Sequence, residues 1–224
     1  MDEPVGAIAV IGDIHGNAAR LALVLEAIAA RGDVRGLLVT GDLGGGTLGR
    51  SGRLWAPREI LGILRVTGLP FVFVPGNHDA PRMDEPENVD GGVHDFLGLR
   101  VLGVGGAPRA FGFPYEWEDG SLALPVGGCD LVLAHAPPAG TRLGITADGQ
   151  DAGSRQIREL LARRPAALVC GHIHEAVGME DVDGVPCYNA GALGAAFARA
   201  QHGVLTLGEA AAFAHVHVPE GGGQ

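Results

Sequence analysis

The sequence predicts an α/β protein built on buried, largely parallel strands. Short continuous apolar runs bounded by Gly or Pro predict the strands, and apolar residues at helical spacing between them predict the helices. A length of 224 residues suits one large domain with a sizeable core. The first run, Ala7–Ile11, is followed by Leu21, Val24, Leu25 and Ile28 at i, i+3, i+4 and i+7, and Gly32 closes that helix. The run 37–39 precedes a second helix, in which Ile60, Ile63 and Leu64 follow Pro57 and stop before Gly68. Runs 71–74, Leu131–Ala134 and Ala167–Cys170 are also of strand length. A third helix carries Ile157, Leu160 and Leu161, with Ser154 as its N-cap and Pro165 after its end. Beyond Glu175 the pattern changes to short strands at 177–179, 185–188, 204–207 and 213–218, expected to form a meander that completes a second sheet. The acidic stretch 82–95 reads as a loop. One domain over 1–218 with a disordered tail over 219–224 is the expected organisation.

Composition excludes several function classes. The 16 basic residues are all arginine and face 26 acidic ones, for a net charge of −10. An acidic chain lacks the footprint of a general nucleic-acid binder, so no stable nucleic-acid binding is expected. Without lysine there is neither a P-loop nor a Schiff-base nucleophile. No apolar run approaches the ~20 residues of a membrane span, so no membrane association is expected. The cysteines Cys129, Cys170 and Cys187 are odd in number and lack metal-type spacing, and Cys170 falls in a strand-like run as a buried apolar residue. With no basic, apolar leader at the start, the expected location is cytoplasmic.

The chemistry sits in the residues just after each of the five apolar runs. After the first comes Gly12-Asp13-Ile14-His15-Gly16-Asn17, after the second Gly41-Asp42, and after the third Gly76-Asn77-His78-Asp79. His135 follows the fourth, and Gly171-His172-Ile173-His174 the fifth. Ligands in open α/β sheets bind beyond the carboxyl ends of strands, and the glycines are read as letting the backbone turn there. Asp13, His15, Asp42, Asn77, His135, His172 and His174 offer oxygen and nitrogen donors without thiolate. Such donors suit Mn²⁺ first, with Fe or Zn²⁺ as alternatives. Seven donors exceed what one ion with an open position needs and suit two divalent ions sharing a carboxylate. His215 and His217 follow no glycine turn and are read as structural.

The order Asp-x-His, Gly-Asp, Gly-Asn-His-Asp, His, Gly-His-x-His resembles the calcineurin-like metallophosphoesterase superfamily. Tyr188-Asn189-Ala190-Gly191 is similar to that family's late Asn-Pro-Gly turn. The resemblance implies a four-layer α/β-β/α sandwich, two mixed β-sheets flanked by helices, with both metals at one end of the sheets. It also implies that Asp13, His15 and His174 take one metal and Asn77, His135 and His172 the other, with Asp42 bridging. A hydroxide between the ions would attack in line, and the ions would offset charge in the transition state. His78, next to Asn77, is the candidate general acid for the leaving oxygen. Asp79 is a catalytic candidate that either orients His78 or caps the following turn.

The second motif departs from the pattern of phosphoprotein phosphatases, Gly-Asp-x-Val-Asp-Arg-Gly. Here Gly45 replaces the aspartate that pairs with the catalytic histidine, and the adjacent arginine is absent. A small-molecule phosphoric ester is therefore the expected substrate, a phosphodiester ahead of a phosphomonoester. A non-catalytic metal-binding scaffold is the reading from another class. Asn17 and Arg109 are substrate-binding candidates, and Arg50, Arg53 and Arg82 also lie in loops able to reach phosphate. Phe111, Phe113, Tyr115 and Trp117 alternate along the chain. They either bury alternate faces of a strand, form a contact in a homo-oligomer, or wall a pocket for a flat leaving group.

Overall fold

A computed structural model describes residues 6–44, 56–195 and 197–220. In chain order its elements are β1 (Ala7–Ile11), α1 (Ala18–Arg31), β2 (Val34–Val39), α2 (Pro57–Val66), β3 (Phe71–Phe73), β4 (Val93–Phe96), β5 (Leu99–Val104), β6 (Ala107–Pro108) and β7 (Glu116–Trp117). There follow β8 (Leu131–Ala134), α3 (Arg155–Leu160), β9 (Ala167–Cys170), β10 (Gly178–Val182), β11 (Val185–Asn189), β12 (Gln201–Leu207) and β13 (Ala211–His217). One sheet has the order β13-β12-β1-β2-β3 and the other β10-β11-β9-β8-β5-β4. Both are mixed: β1, β2 and β3 run parallel, as do β5, β8, β9 and β11, while β12, β13, β10 and β4 pair antiparallel.

Strand alternation sorts the core into the four layers. Along β1, Ala7, Ala9 and Ile11 pack with Leu21, Val24 and Ile28 of α1 and Ile60 and Leu64 of α2. Ile8 and Val10 point the other way, into a core between the sheets with Leu131, Leu133 and Val169. The opposite faces of β8 and β9, through Val132, Leu168 and Cys170, meet Ile157, Leu160 and Leu161. Strands buried on both faces read as unbroken apolar runs, which is why these segments are legible in the sequence.

The helices form where their periodicity places them. The apolar stripe of α1 is fully enclosed, and Gly32 ends the helix in the left-handed region at φ +72°. Pro57 opens α2, and the Ser154 hydroxyl accepts the Ile157 amide to cap α3 at 3.1 Å. All three cysteines are buried and unpaired. No helix among the described residues is long and apolar enough to cross a membrane.

Two expectations are corrected. The late strands do not form one meander: β10 and β11 complete the second sheet beside β9 and β8 as expected, whereas β12 and β13 return to flank β1 in the other. The expected loop 82–95 runs into β4, which pairs with β5 across Leu97 and Gly98. Both turn residues have positive φ, and exposed His94 and Asp95 make β4 a polar edge strand without apolar signal.

Candidate metal centre

The carboxyl ends of β1, β2 and β3 from one sheet and of β8 and β9 from the other converge on one place. Asp13, His15, Asp42 and His174 each bring a donor atom within 4.8 Å of the others. His15 Nε2 lies 3.1 Å from His174 Nε2 and 3.4 Å from Asp42 Oδ2, and His174 Nε2 lies 3.2 Å from Asp13 Oδ1. Beside this group, Asn77 Oδ1 lies 2.9 Å from His135 Nε2 and 3.2 Å from His172 Nδ1. Asp42 Oδ2 faces both groups, since it is also 3.8 Å from His135 Nε2. The other Asp42 oxygen is occupied, accepting the His78 amide at 2.9 Å. All seven candidate ligands are thus brought together, in two groups that share one carboxylate.

The backbone departs from the expected role of the glycines. Asp13, His15, Asp42 and His172 themselves have φ between 45° and 69°, a region costly for residues with a Cβ. Of the preceding glycines only Gly41, at φ +106°, supplies the expected turn, and Gly76 and Gly171 serve close approach. A Cβ on Gly76 would meet Asp42 Oδ1 at 2.0 Å, and one on Gly171 would meet Asp13 Oδ2 at 2.3 Å. Interlocking bonds hold the strained residues: the His15 amide donates to the Asp42 carbonyl at 2.8 Å, and the His172 amide to the Asp13 carboxylate at 3.1 Å.

The donor chemistry fits divalent cations. His135 Nδ1 can only donate to the Thr40 carbonyl at 2.7 Å, because that oxygen only accepts. The Nε2 lone pair then faces Asn77 Oδ1, an encounter of two lone pairs that a cation between them relieves. A backbone carbonyl on the far nitrogen is also how ligating histidines are usually held. Burial drives His15 and His172 down to about 3, with His135 adding to the effect on His172, and burial lowers His135 as well. These rings are neutral at physiological pH and keep the lone pairs that ligation needs. Burial, then the Asp13 and Asp79 carboxylates, push Asp42 well above the carboxylate range. For Asp13, burial is outweighed by the hydrogen bond and charge of His174, which bring it down to about 2. His174 is the exception among the rings: its burial is outweighed by the hydrogen bond and charge of Asp13, which raise it. Two buried carboxylates beside three neutral imidazoles leave the site short of positive charge.

The remaining candidates separate. His78 is half-buried beside the centre, its ring 5.2 Å from that of His15 and 3.9 Å from that of Phe113 between centroids. Burial lowers its pKa. Asp79 does not orient His78, and this expectation is corrected. Its buried carboxylate accepts the amides of Gly76 at 2.9 Å and Leu43 at 3.1 Å, which stitches the Asp42 loop to the Asn77 loop. Asn17 is not free for substrate either. It caps α1, its Oδ1 accepting the Arg20 amide at 3.1 Å and its Nδ2 donating to the Leu193 carbonyl at 3.3 Å. Arg109 turns outward to Glu118 at 3.1 Å, and Arg82 is exposed. Arg50, Arg53 and Gly45 lie outside the described residues.

Two residues support the centre in roles that the sequence reading does not assign. Asn189, known there only as part of the late turn motif, donates to the Ile173 carbonyl between His172 and His174 at 3.0 Å and so fixes that turn. Its signal is the Asn-x-Gly after β11, with the Gly191 amide closing back on Asn189 Oδ1 at 2.7 Å. Thr40 acts through its carbonyl, for which a sequence carries no signal.

The chain belongs to the calcineurin-like phosphoesterase family, whose profile matches residues 6–176, a span holding every residue of the centre. Solved structures of similar fold include a protein of Thermus thermophilus, at 18% identity over 96% of this chain and 99% of that one, TM-score 0.66. A hypothetical protein from the same organism matches at 15% identity, 95% and 100% coverage and TM-score 0.61. A novel archaeal phosphodiesterase matches at 14% identity, 94% and 99% coverage and TM-score 0.57. Identities this low bear on the fold, and the coverage takes in the late strands beyond residue 176. No curated protein matches the chain.

Proposed function

We propose that this phosphoesterase is a dinuclear metal-dependent hydrolase of small phosphodiesters. The observation that carries the reading is the placement of Asp42 Oδ2, 3.4 Å from a nitrogen of one ligand group and 3.8 Å from a nitrogen of the other. Asp13, His15 and His174 would hold one cation, Asn77, His135 and His172 the second, and Asp42 both. Divalent ions there, Mn²⁺ first, supply Lewis acidity and positive charge for the phosphoryl oxygens and the attacking water.

The chain's own contribution on the leaving side is His78. Its amide is pinned to Asp42 and its ring stands between His15 and Phe113, so it can pass a proton to the departing oxygen. A phosphoryl anion beside the ring favours its protonated form against the effect of burial. Diesters are favoured over monoesters by charge. A monoester dianion calls for an extra cationic clamp, and among the described residues Arg20 is bonded to the Leu193 and Ala195 carbonyls and Arg109 to Glu118.

The test is metal content by elemental mass spectrometry, run with hydrolysis of bis-p-nitrophenyl phosphate and p-nitrophenyl phosphate before chelation, after it and after Mn²⁺ is restored. Two metals per chain and diester turnover that follows them are expected. His78→Ala is expected to retain both metals and lose about 10²-fold in kcat. Failure to take up metal would sink the reading, and turnover of the monoester alone would reverse the substrate class.

A further inference from the structure

The aromatic series is neither a regular strand nor a free loop. Trp117 is buried in β7 and donates Nε1–H to the Gly105 carbonyl at 3.0 Å, and the Tyr115 hydroxyl donates to Asp90 at 2.6 Å. The Tyr115 amide donates to the Asn77 carbonyl at 3.0 Å, so this segment is tied to a ligand residue of the centre. Ahead of it the chain curls around the Glu116 carboxylate, which accepts the amides of Ala110 at 3.2 Å, Phe111 at 3.1 Å and Gly112 at 2.7 Å. This curl presents two rings in succession. Phe113 lies on His78 with centroids 3.9 Å apart, and Phe111 stands edge-on to Phe113 at 5.9 Å. Phe111 remains 83% exposed on a turn whose amides at 110, 111 and 112 are all held by Glu116.

Resting on the phosphoesterase reading, we propose that Phe111 and Phe113 form a stacking ledge. It selects esters whose leaving group carries a planar ring on a short spacer, a nucleoside being the fitting class. His78 occupies one side of Phe113, so a ring attached directly to phosphorus would meet His78 and Phe113. Reaching the open Phe111 ring, one centroid step further out, takes a spacer of about sugar length. Stacking on an aromatic side chain is sequence-tolerant and strengthens binding severalfold per ring. Phe111 is thereby a specificity-determining residue and Phe113 the bridge from it to the proton-transfer side.

Stable phosphonates test this on the Mn²⁺-loaded protein by titration calorimetry, without turnover. Methylphosphonate reads the metal centre alone, phenylphosphonate adds a ring at phosphorus, and 9-(2-phosphonomethoxyethyl)adenine adds a ring on a spacer. The adenine compound is expected to bind about tenfold tighter than methylphosphonate. Phe111→Ala, at a site exposed enough to leave the fold intact, is expected to remove that advantage, and Phe111→Trp to restore it. Methylphosphonate affinity is expected to be the same in all three proteins. Equal affinity for the methyl and adenine compounds, or an advantage that survives Phe111→Ala, would overturn the ledge and leave the phosphoesterase reading standing. An advantage for phenylphosphonate that depends on Phe111 would overturn the spacer. No binding of any phosphonate would overturn the ledge, while the phosphoesterase reading is judged separately by turnover of bis-p-nitrophenyl phosphate in the same Mn²⁺-loaded protein.

Discussion

The two donor groups that meet at Asp42 differ in charge. Asp13, His15 and His174 include a buried carboxylate of their own, and Asp13 is held ionised by His174. Asn77, His135 and His172 offer only neutral donors, so their negative charge comes from Asp42 alone. Their support differs too. Asp13 is clamped by the His172 amide on its side chain and by the Leu193 and Gly194 amides on its carbonyl, each at 3.0 Å. The second group is held by the Thr40 carbonyl behind His135 and by the Tyr115 amide on the Asn77 carbonyl, neither of which adds charge to it. A cation in the first position is therefore expected to be held more tightly, and the second to depend on the shared carboxylate.

Replacing that carboxylate gives the largest expected effect. Asp42→Ala removes the only anionic donor of the second group and a donor of the first, and it leaves the His78 amide without its acceptor. Diester hydrolysis is expected to fall by at least about 10³-fold, and metal content to drop below two per chain with the fold intact by circular dichroism. Two metals retained in Asp42→Ala would mean that the groups do not share it.

Smaller, and aimed at the asymmetry itself, is stepwise removal of metal. Chelator titration of the Mn²⁺-loaded protein is expected to release two ions in separate steps. His135→Ala should abolish the weaker step and keep the tighter one. His174→Ala should weaken the tighter step, at least about 100-fold, while Asp13 and His15 keep that position occupied at high Mn²⁺. The reverse pattern, with the tight ion lost in His135→Ala, would refute the charge comparison.

Much of the centre is legible in the sequence because it is built from strand ends. Buried strands write themselves as apolar runs, and the candidate ligands come directly after them, so position and chemistry are read together. The four-layer arrangement is not written in the runs. It comes with the family resemblance, and the structure shows the two sheets through the alternation of Ile8 and Val10 against Ala7, Ala9 and Ile11. Two kinds of feature escape. β4 lies at an edge, where half its residues face water and carry no apolar pattern, whereas its neighbour β5 carries a buried apolar run that the reading of the sequence passes over. Asp79 and Asn17 have the same residue types and sit in the same motifs as the ligands, but backbone amides claim them. Which polar side chains bond to the main chain is decided by loop geometry that a motif does not encode.

Asn17 offers the finest test of that distinction, because it lies two residues from His15 and its motif points to substrate binding. As the cap of α1 it satisfies an orphan amide of the first turn and ties the helix to Leu193. Asn17→Ala is expected to cost about 1 kcal/mol. In a chain of this length that is a fall in Tm of about 2–4 °C. Asn17→Asp keeps an oxygen that can accept the Arg20 amide and is expected to recover most of the loss, the carboxylate also suiting the positive end of the helix dipole. KM and kcat on the diester should stay within about twofold in both variants, since both polar atoms of the Asn17 side chain are bonded to main chain, at Arg20 and Leu193. A raised KM with unchanged Tm in Asn17→Ala would instead return the residue to the substrate and show that its cap bonds are dispensable.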